Sequence, residues 1–306
     1  MDQHTYNTQV DTRAQQMLAA ICERTTEYSQ WNVHALMTLD PDPEEVIRSV
    51  RRTLWRDTED PATELMGGPF EILPAALAYC RWQDALTDEG RFLLHDYLTG
   101  AHFERGNTEN HWLMYYTGCL LAAERWPDLE TNWNGLPPEA MRAEAMRWIL
   151  GMIERTAVTG HHEYDSPQYH IEHMISYIAL ADHAKDEHFR VRVEQMLSLL
   201  IADMALEHFY GAWAGGHSRE GYRENTWKRS GAIPILQFLY FGGEPYDPDY
   251  HVHGFGVPAT TAFYKPPPVF ADMAWDRAEP HVVRKTKPPR NIYRCVEREA
   301  RPVRKY

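Results

Sequence analysis

Apolar residues recur along most of this chain at the three- and four-residue spacing of helices, not the alternation of strands. The pattern and its punctuation predict helices over roughly 11–29, 43–57, 69–84, 88–100, 109–125, 137–157, 167–184, 187–208 and 226–241. Proline stands in or near the first turn after "DPDPEE", "LPPEAM" and "DSPQYH", where its missing N–H costs a helix nothing. No convincing strand alternation precedes residue 243. Short links between long helices imply helical hairpins arranged as a bundle, solenoid or closed α/α ring. After residue 242 the helical period gives way to "GGEPYDPDYHVHGFGVPATTAFYKPPPVF", which reads as extended chain packing over the helices, with a strand expected around 291–297.

Composition refines this picture. With 306 residues, 43% of them hydrophobic and 12% aromatic, the chain has ample material for a large core. The formal net charge of −13 argues against a general nucleic-acid surface. From Trp275 onward ten Lys and Arg face four Asp and Glu, so the end of the chain is a basic extension on an acidic body. Cys22, Cys80, Cys119 and Cys295 lie far apart and form no CxxC pair, so neither a zinc ribbon nor a disulfide framework is expected. Neither an apolar leader nor an 18-residue apolar run is present, which predicts no membrane partner and leaves the compartment open.

The candidate chemistry sits in three links between helices. In "GNTENHWLMYYTG", Thr108 can cap a helix whose first turn carries Glu109, Asn110 and His111. Asn110 and His111 would then face whatever lies beyond the helix start, where the dipole favours an anion; capping is the simpler alternative. The second link, "TGHHEYDSPQYHIEH", holds Tyr164 and Tyr169 around a helix start, with His170 and His173 on one face of the helix that follows. His161, His162, Glu163, His170 and His173 are metal-ligating types, but their spacing matches no zinc signature, and neither metal nor cofactor is expected. The third, "GAWAGGHSREGYRENTW", brings four glycines with His217, Arg219, Tyr222 and Arg223. Arginine clamps carboxylates in a bidentate fork, and glycine admits close backbone approach.

These residue types suit one reaction. β-Elimination at a uronic acid requires neutralising the C6 carboxylate, removing the C5 proton and protonating the leaving oxygen. Asn, His and Arg serve the first task, and Tyr or His the others. A tyrosine acts as base only where neighbouring cations favour its phenolate.

"ENHWLMYYTGCLLAAERWPD" followed by "HEYDSPQYHIEHMISYIALADHAKDE" resembles the helical portion of the heparinase II/III-like and alginate-lyase-like polysaccharide lyases. The resemblance implies an all-α fold over residues 1–242, an incomplete (α/α) toroid of helical hairpins. Residues 243–306 would then be an extended, Pro-rich and basic segment leading toward a β-domain. It further implies cleavage of a uronic-acid-containing polysaccharide. Asn110, His111 and Arg219 would meet the carboxylate, and Tyr169, 58 positions after His111, would act as base and acid, with Tyr164 as rival. His170, His217, Tyr222, Arg223 and Glu109 would line the cleft, and Trp112, Trp213 and Trp227 would offer sugar-stacking faces or pack in the core. The family's "DGSF" style text before the tyrosine is replaced here by "EYDSPQY". Two alternatives stand beside this reading. One is an (α/α) glycoside hydrolase with a carboxylate pair drawn from Glu109, Glu163 or Asp165; the other is a non-catalytic glycan-binding toroid.

Overall fold

The computed structural model describes residues 1–24, 31–39, 42–55, 66–163, 165–216, 232–251, 254–276, 278–279 and 282–284. The protein is mostly helical. Helices α1 (Gln3–Arg24), α2 (Asn32–Thr38), α3 (Pro43–Trp55), α4 (Pro69–Trp82), α5 (Asp88–Gly100) and α6 (Glu109–Arg125) precede α7 (Pro138–Thr159), α8 (Tyr169–His183), α9 (Glu187–Leu206) and α10 (Ile233–Phe241). The helix of seven residues at 32–38 lies outside the sequence expectation, which ran a single helix from 11 to 29. Residues 25–29, 56–57 and 226–231 of the expected helices lie outside the described residues.

Even-numbered helices neighbour one another in order, α2 on α4, α4 on α6, α6 on α8 and α8 on α10. Among the odd-numbered ones, α3 packs on α5 and α7 on α9. Burial follows this division. From His170 to Ala181 every residue of α8 is buried, as is every residue of α10, which marks helices covered on all sides. By contrast α7 and α9 bury a stripe and present charged residues to solvent. Helices α4 and α6 approach closely at Gly118, where a Cβ would lie 2.7 Å from Ile72 Cγ1. Any side chain larger than hydrogen there would push the two helices apart.

Two corrections concern the links and the chain after residue 242. Short ladders do occur: β1 (Met66–Gly67) pairs in parallel with β2 (His102–Phe103), and β3 (His208–Phe209) pairs antiparallel with β4 (Ala212–Trp213). Beyond Gly242 the chain is not simply extended. It forms α11 (Pro248–His251), a 3-10 turn at Gly254–Gly256, α12 (Val257–Thr260) and α13 (Val269–Trp275). Of these, α12 packs on α1, α2 and α8, and α13 packs on α9 and α10. The expected strand at 291–297 lies outside the described residues. No described helix is long and apolar enough to cross a membrane. Cys22, Cys80 and Cys119 are free thiols.

Candidate functional site

The first turn of α6 assigns its three polar residues three different tasks. Thr108 caps the helix, its hydroxyl accepting from the His111 N–H at 3.4 Å. Glu109 reaches across to the segment before α8, where its carboxylate accepts the backbone N–H of His162 at 2.5 Å and of Glu163 at 3.3 Å. Asn110, fully buried, returns the exchange: its backbone N–H and side-chain amide donate to the Glu163 carboxylate at 3.1 and 2.8 Å. The anion that the start of α6 attracts is therefore the protein's own Glu163. This changes the expectation for Asn110, whose amide addresses Glu163 and not an open face.

His111 turns the other way. Its ring meets Phe70 edge-on at 5.1 Å and lies beneath Gly106, where a Cβ would come within 2.7 Å of Nδ1. Gly106 also sits at φ +73°, so both its conformation and this contact require glycine.

Two imidazoles complete the joint between α6 and α8. His161 and His173 stack with ring centroids 3.7 Å apart and planes 25° from parallel. His161 Nδ1 lies 3.5 Å from the Glu109 carboxylate. His173 Nδ1 bonds the Tyr169 carbonyl at 2.6 Å, and its Nε2 faces Glu109 at 3.8 Å and Glu163 at 3.9 Å. Burial, reinforced by the neighbouring His161, pushes the pKa of His173 well below its ordinary value. Burial alone would raise the Glu109 carboxyl. The hydrogen bond from His161 and the potential of the surrounding imidazoles outweigh it and hold Glu109 below the usual carboxylate range.

A cavity of about 230 Å³ opens beside this joint, bounded by the end of α7, the 160–165 link, α8 and α9. His161, Glu163, Asp165, His170, His173 and Asp203 contribute its polar wall. Asp165 takes the left-handed conformation, φ +48°, uncommon for a residue with a side chain. Ligand atoms of Asp165, Asp203 and Glu207 all lie within 4.8 Å of one another, as do those of Glu109, His161 and His173.

The other anticipated residues fall as follows. Tyr169 opens α8, half-buried, with its N–H donating to Ser166 Oγ at 3.2 Å. His170 is buried against α9, with Nε2 3.4 Å from the Leu200 carbonyl and the ring 5.6 Å from Trp213. Trp213 is fully buried and donates its indole N–H to the Gly216 carbonyl at 2.9 Å, so it is core and no stacking face. Trp112 is half-buried, its indole N–H bonded to the Gly106 carbonyl and one ring face covered by the Arg105 guanidinium at 4.7 Å. Tyr164, His217, Arg219, Tyr222, Arg223 and Trp227 lie outside the described residues.

Sequence reasoning did not single out Asp203 and Glu207, although four residues on a helix place two carboxylates on one face. Nor did it foresee the pairing of His161 with His173, which depends on how the link folds back over α8.

Comparison with protein-family models, with curated proteins and with solved structures finds no match to this chain.

Proposed function

We propose that this protein is a polysaccharide lyase of the (α/α) toroid type, cleaving uronic-acid-containing chains at the joint between α6 and α8. The reading is supported by one observation above the others. Two chemistry-bearing segments some fifty residues apart are locked together at the starts of adjacent, centrally buried helices, through Glu109 to residues 162–163 and through Asn110 to Glu163. The serial packing of α2, α4, α6, α8 and α10, with α1 against α10 and α12 against α2, is what a ring of hairpins requires.

In this reading Tyr169 serves as base and acid, while Arg219 and Arg223 receive the substrate carboxylate. Asn110, buried and bound to Glu163, positions the start of α6. Incubation of the protein with alginate, heparan, chondroitin, hyaluronan and ulvan tests the proposal. Elimination creates a conjugated, ultraviolet-absorbing product end. Tyr169→Phe is expected to lower kcat by at least about 100-fold with KM little changed. Full activity in both Tyr169→Phe and Tyr164→Phe would remove the assignment.

One observation favours a second reading, hydrolysis by a carboxylate pair. Carboxylate oxygens of Asp165, Asp203 and Glu207 within 4.8 Å of one another approach the separation of about 5 Å used by retaining glycosidases. New reducing ends without new absorbance would select it, and glycan binding with no product would indicate a binding module.

A further inference from the structure

We propose that the cavity beside the joint between α6 and α8 is a subsite for one uncharged sugar ring, so that the polymer bound carries its uronic acid next to a neutral unit. This subsite deepens the lyase reading and rests on it.

The lining of the cavity divides by element. The end of α7 and the outer turns of α9 bring apolar side chains, among them Val158, Met196, Leu199 and Leu200. The 160–165 link and the start of α8 bring Glu163, Asp165 and His173, joined by Asp203 of α9. A sugar ring is divided in the same way, into a face of C–H groups and a rim of hydroxyls. The volume of about 230 Å³ equals about seven waters at roughly 30 Å³ each, and falls below the roughly 300–1,000 Å³ of pockets for drug-sized ligands. It therefore suits one ring.

A hydroxyl is the group that the polar side calls for. His173 is 1% exposed, its Nε2 makes no hydrogen bond, and that nitrogen lies 3.9 Å from the Glu163 carboxylate, which lines the same cavity. The two are too far apart to bond directly, yet one oxygen about 2.8 Å from each fits between them. A hydroxyl both donates and accepts, so it serves the carboxylate by donating and the imidazole in either tautomer. A carboxylate offers about four lone-pair sites, so Glu163 can take a hydroxyl alongside the two N–H groups of Asn110.

Charge then selects the kind of ring. Three carboxylates line the cavity, and residues 156–160 bring the C-terminal, negative end of the α7 dipole to the same space. A second uronate or a sulfate would meet like charge there, and repulsion of the wrong unit is as effective a source of specificity as attraction of the right one.

The test is calorimetric titration of the full chain with two tetrasaccharides of equal length. One is from hyaluronan, in which uronate alternates with N-acetylglucosamine; the other is from alginate, in which every unit carries a carboxylate. Tyr169→Phe replaces the parent wherever a fragment is cleaved. The hyaluronan fragment is expected to bind at least about tenfold tighter. Leu199→Trp sets an indole into the cavity from a position 44% exposed, and should weaken the hyaluronan fragment at least about tenfold while leaving the alginate fragment within about twofold. Val158→Trp, at a position 74% exposed, repeats the test should the first variant lose its far-ultraviolet circular dichroism. Equal affinity for the two fragments, or obstruction without effect, overturns the proposal. Tighter binding of glucosamine, the same ring bearing an ammonium, than of N-acetylglucosamine also overturns it and makes the cavity a cation site. Preference for alginate with an ultraviolet-absorbing product removes this inference and leaves the lyase reading standing. Absence of both binding and product with every polymer removes both.

Discussion

The two ends of α8 both bury charge, and they handle it differently. At the C-terminal end Asp182 forms a buried ion pair with Arg81. Its two oxygens also accept the backbone N–H of Phe263 at 3.0 Å and of Tyr264 at 2.8 Å. Arg81 in turn bonds the Thr261 hydroxyl. The carboxylate is thus committed to a cation and to the backbone of the segment that follows α12. At the N-terminal end Glu109 and Glu163 each accept two N–H groups, and the His173 imidazole faces them at 3.8 and 3.9 Å beside a cavity. Burial alone therefore does not separate structural charge from chemistry. Surroundings do: Asp182 pairs with a guanidinium inside the core, whereas Glu109 and Glu163 are held by N–H groups and face an imidazole at the edge of a cavity.

That contrast makes its strongest prediction at the fastening. Asp182→Ala leaves Arg81 buried without its partner and is expected to cost about 3–5 kcal/mol of unfolding free energy in chemical denaturation. A loss below about 1 kcal/mol would mean that the pair is not sealed from water and that the comparison fails. Glu109→Gln removes a carboxylate held by two backbone N–H groups and should cost less, about 1.5–3 kcal/mol.

Acid should separate the two ends. His34 and His183 have pKa values lowered to about 3, first by burial and then by the Arg81 charge on the C-terminal side. Their unfolded value is about 6.5, so the unfolded chain takes up protons that the folded one refuses. The stability they contribute is complete above pH 6.5 or so and falls below it, by about 1.4 kcal/mol per pH unit for each histidine at most. Glu109 has the depressed pKa of a carboxylate, so its contribution is complete above its unfolded value of about 4.3 and is lost only below that. Denaturation midpoints between pH 7 and 5 should accordingly be shallower in His183→Gln and unaffected in slope by Glu109→Gln. The smallest effect belongs to the cap. Thr108→Ala should cost about 1 kcal/mol, and a thermal melt that shows no loss would mean Glu163 alone holds the start of α6.

How much could be read in advance differs from element to element. Helices α5 and α6 have the anticipated boundaries, and α4, α7, α8 and α9 fall within two residues of them, because period, proline and capping residues act within a few positions along the chain. Thr108 announces α6 and Pro167 precedes α8 in the same local way. The helix at 32–38 was hidden because seven residues are too few for a period to declare itself, and the short helices after 242 because dense proline looks the same in a turn and in a helix start.

The site was half legible. Its residues were visible as an unusual gathering of His, Glu, Asn and Tyr at helix starts, but their partners were not. From sequence the start of α6 predicted an anion beyond the helix, and the physics was sound. Only the tertiary structure supplied the anion as Glu163, 53 positions after Asn110, turned His111 toward Phe70 and sank Trp213 into the core. Sequence by itself determined where helices form and where polar chemistry collects, since those follow from neighbours along the chain. Which carboxylate meets which imidazole was decided by how α6, α7, α8 and α9 pack, because such pairs depend on ångström-scale positions that no local pattern encodes.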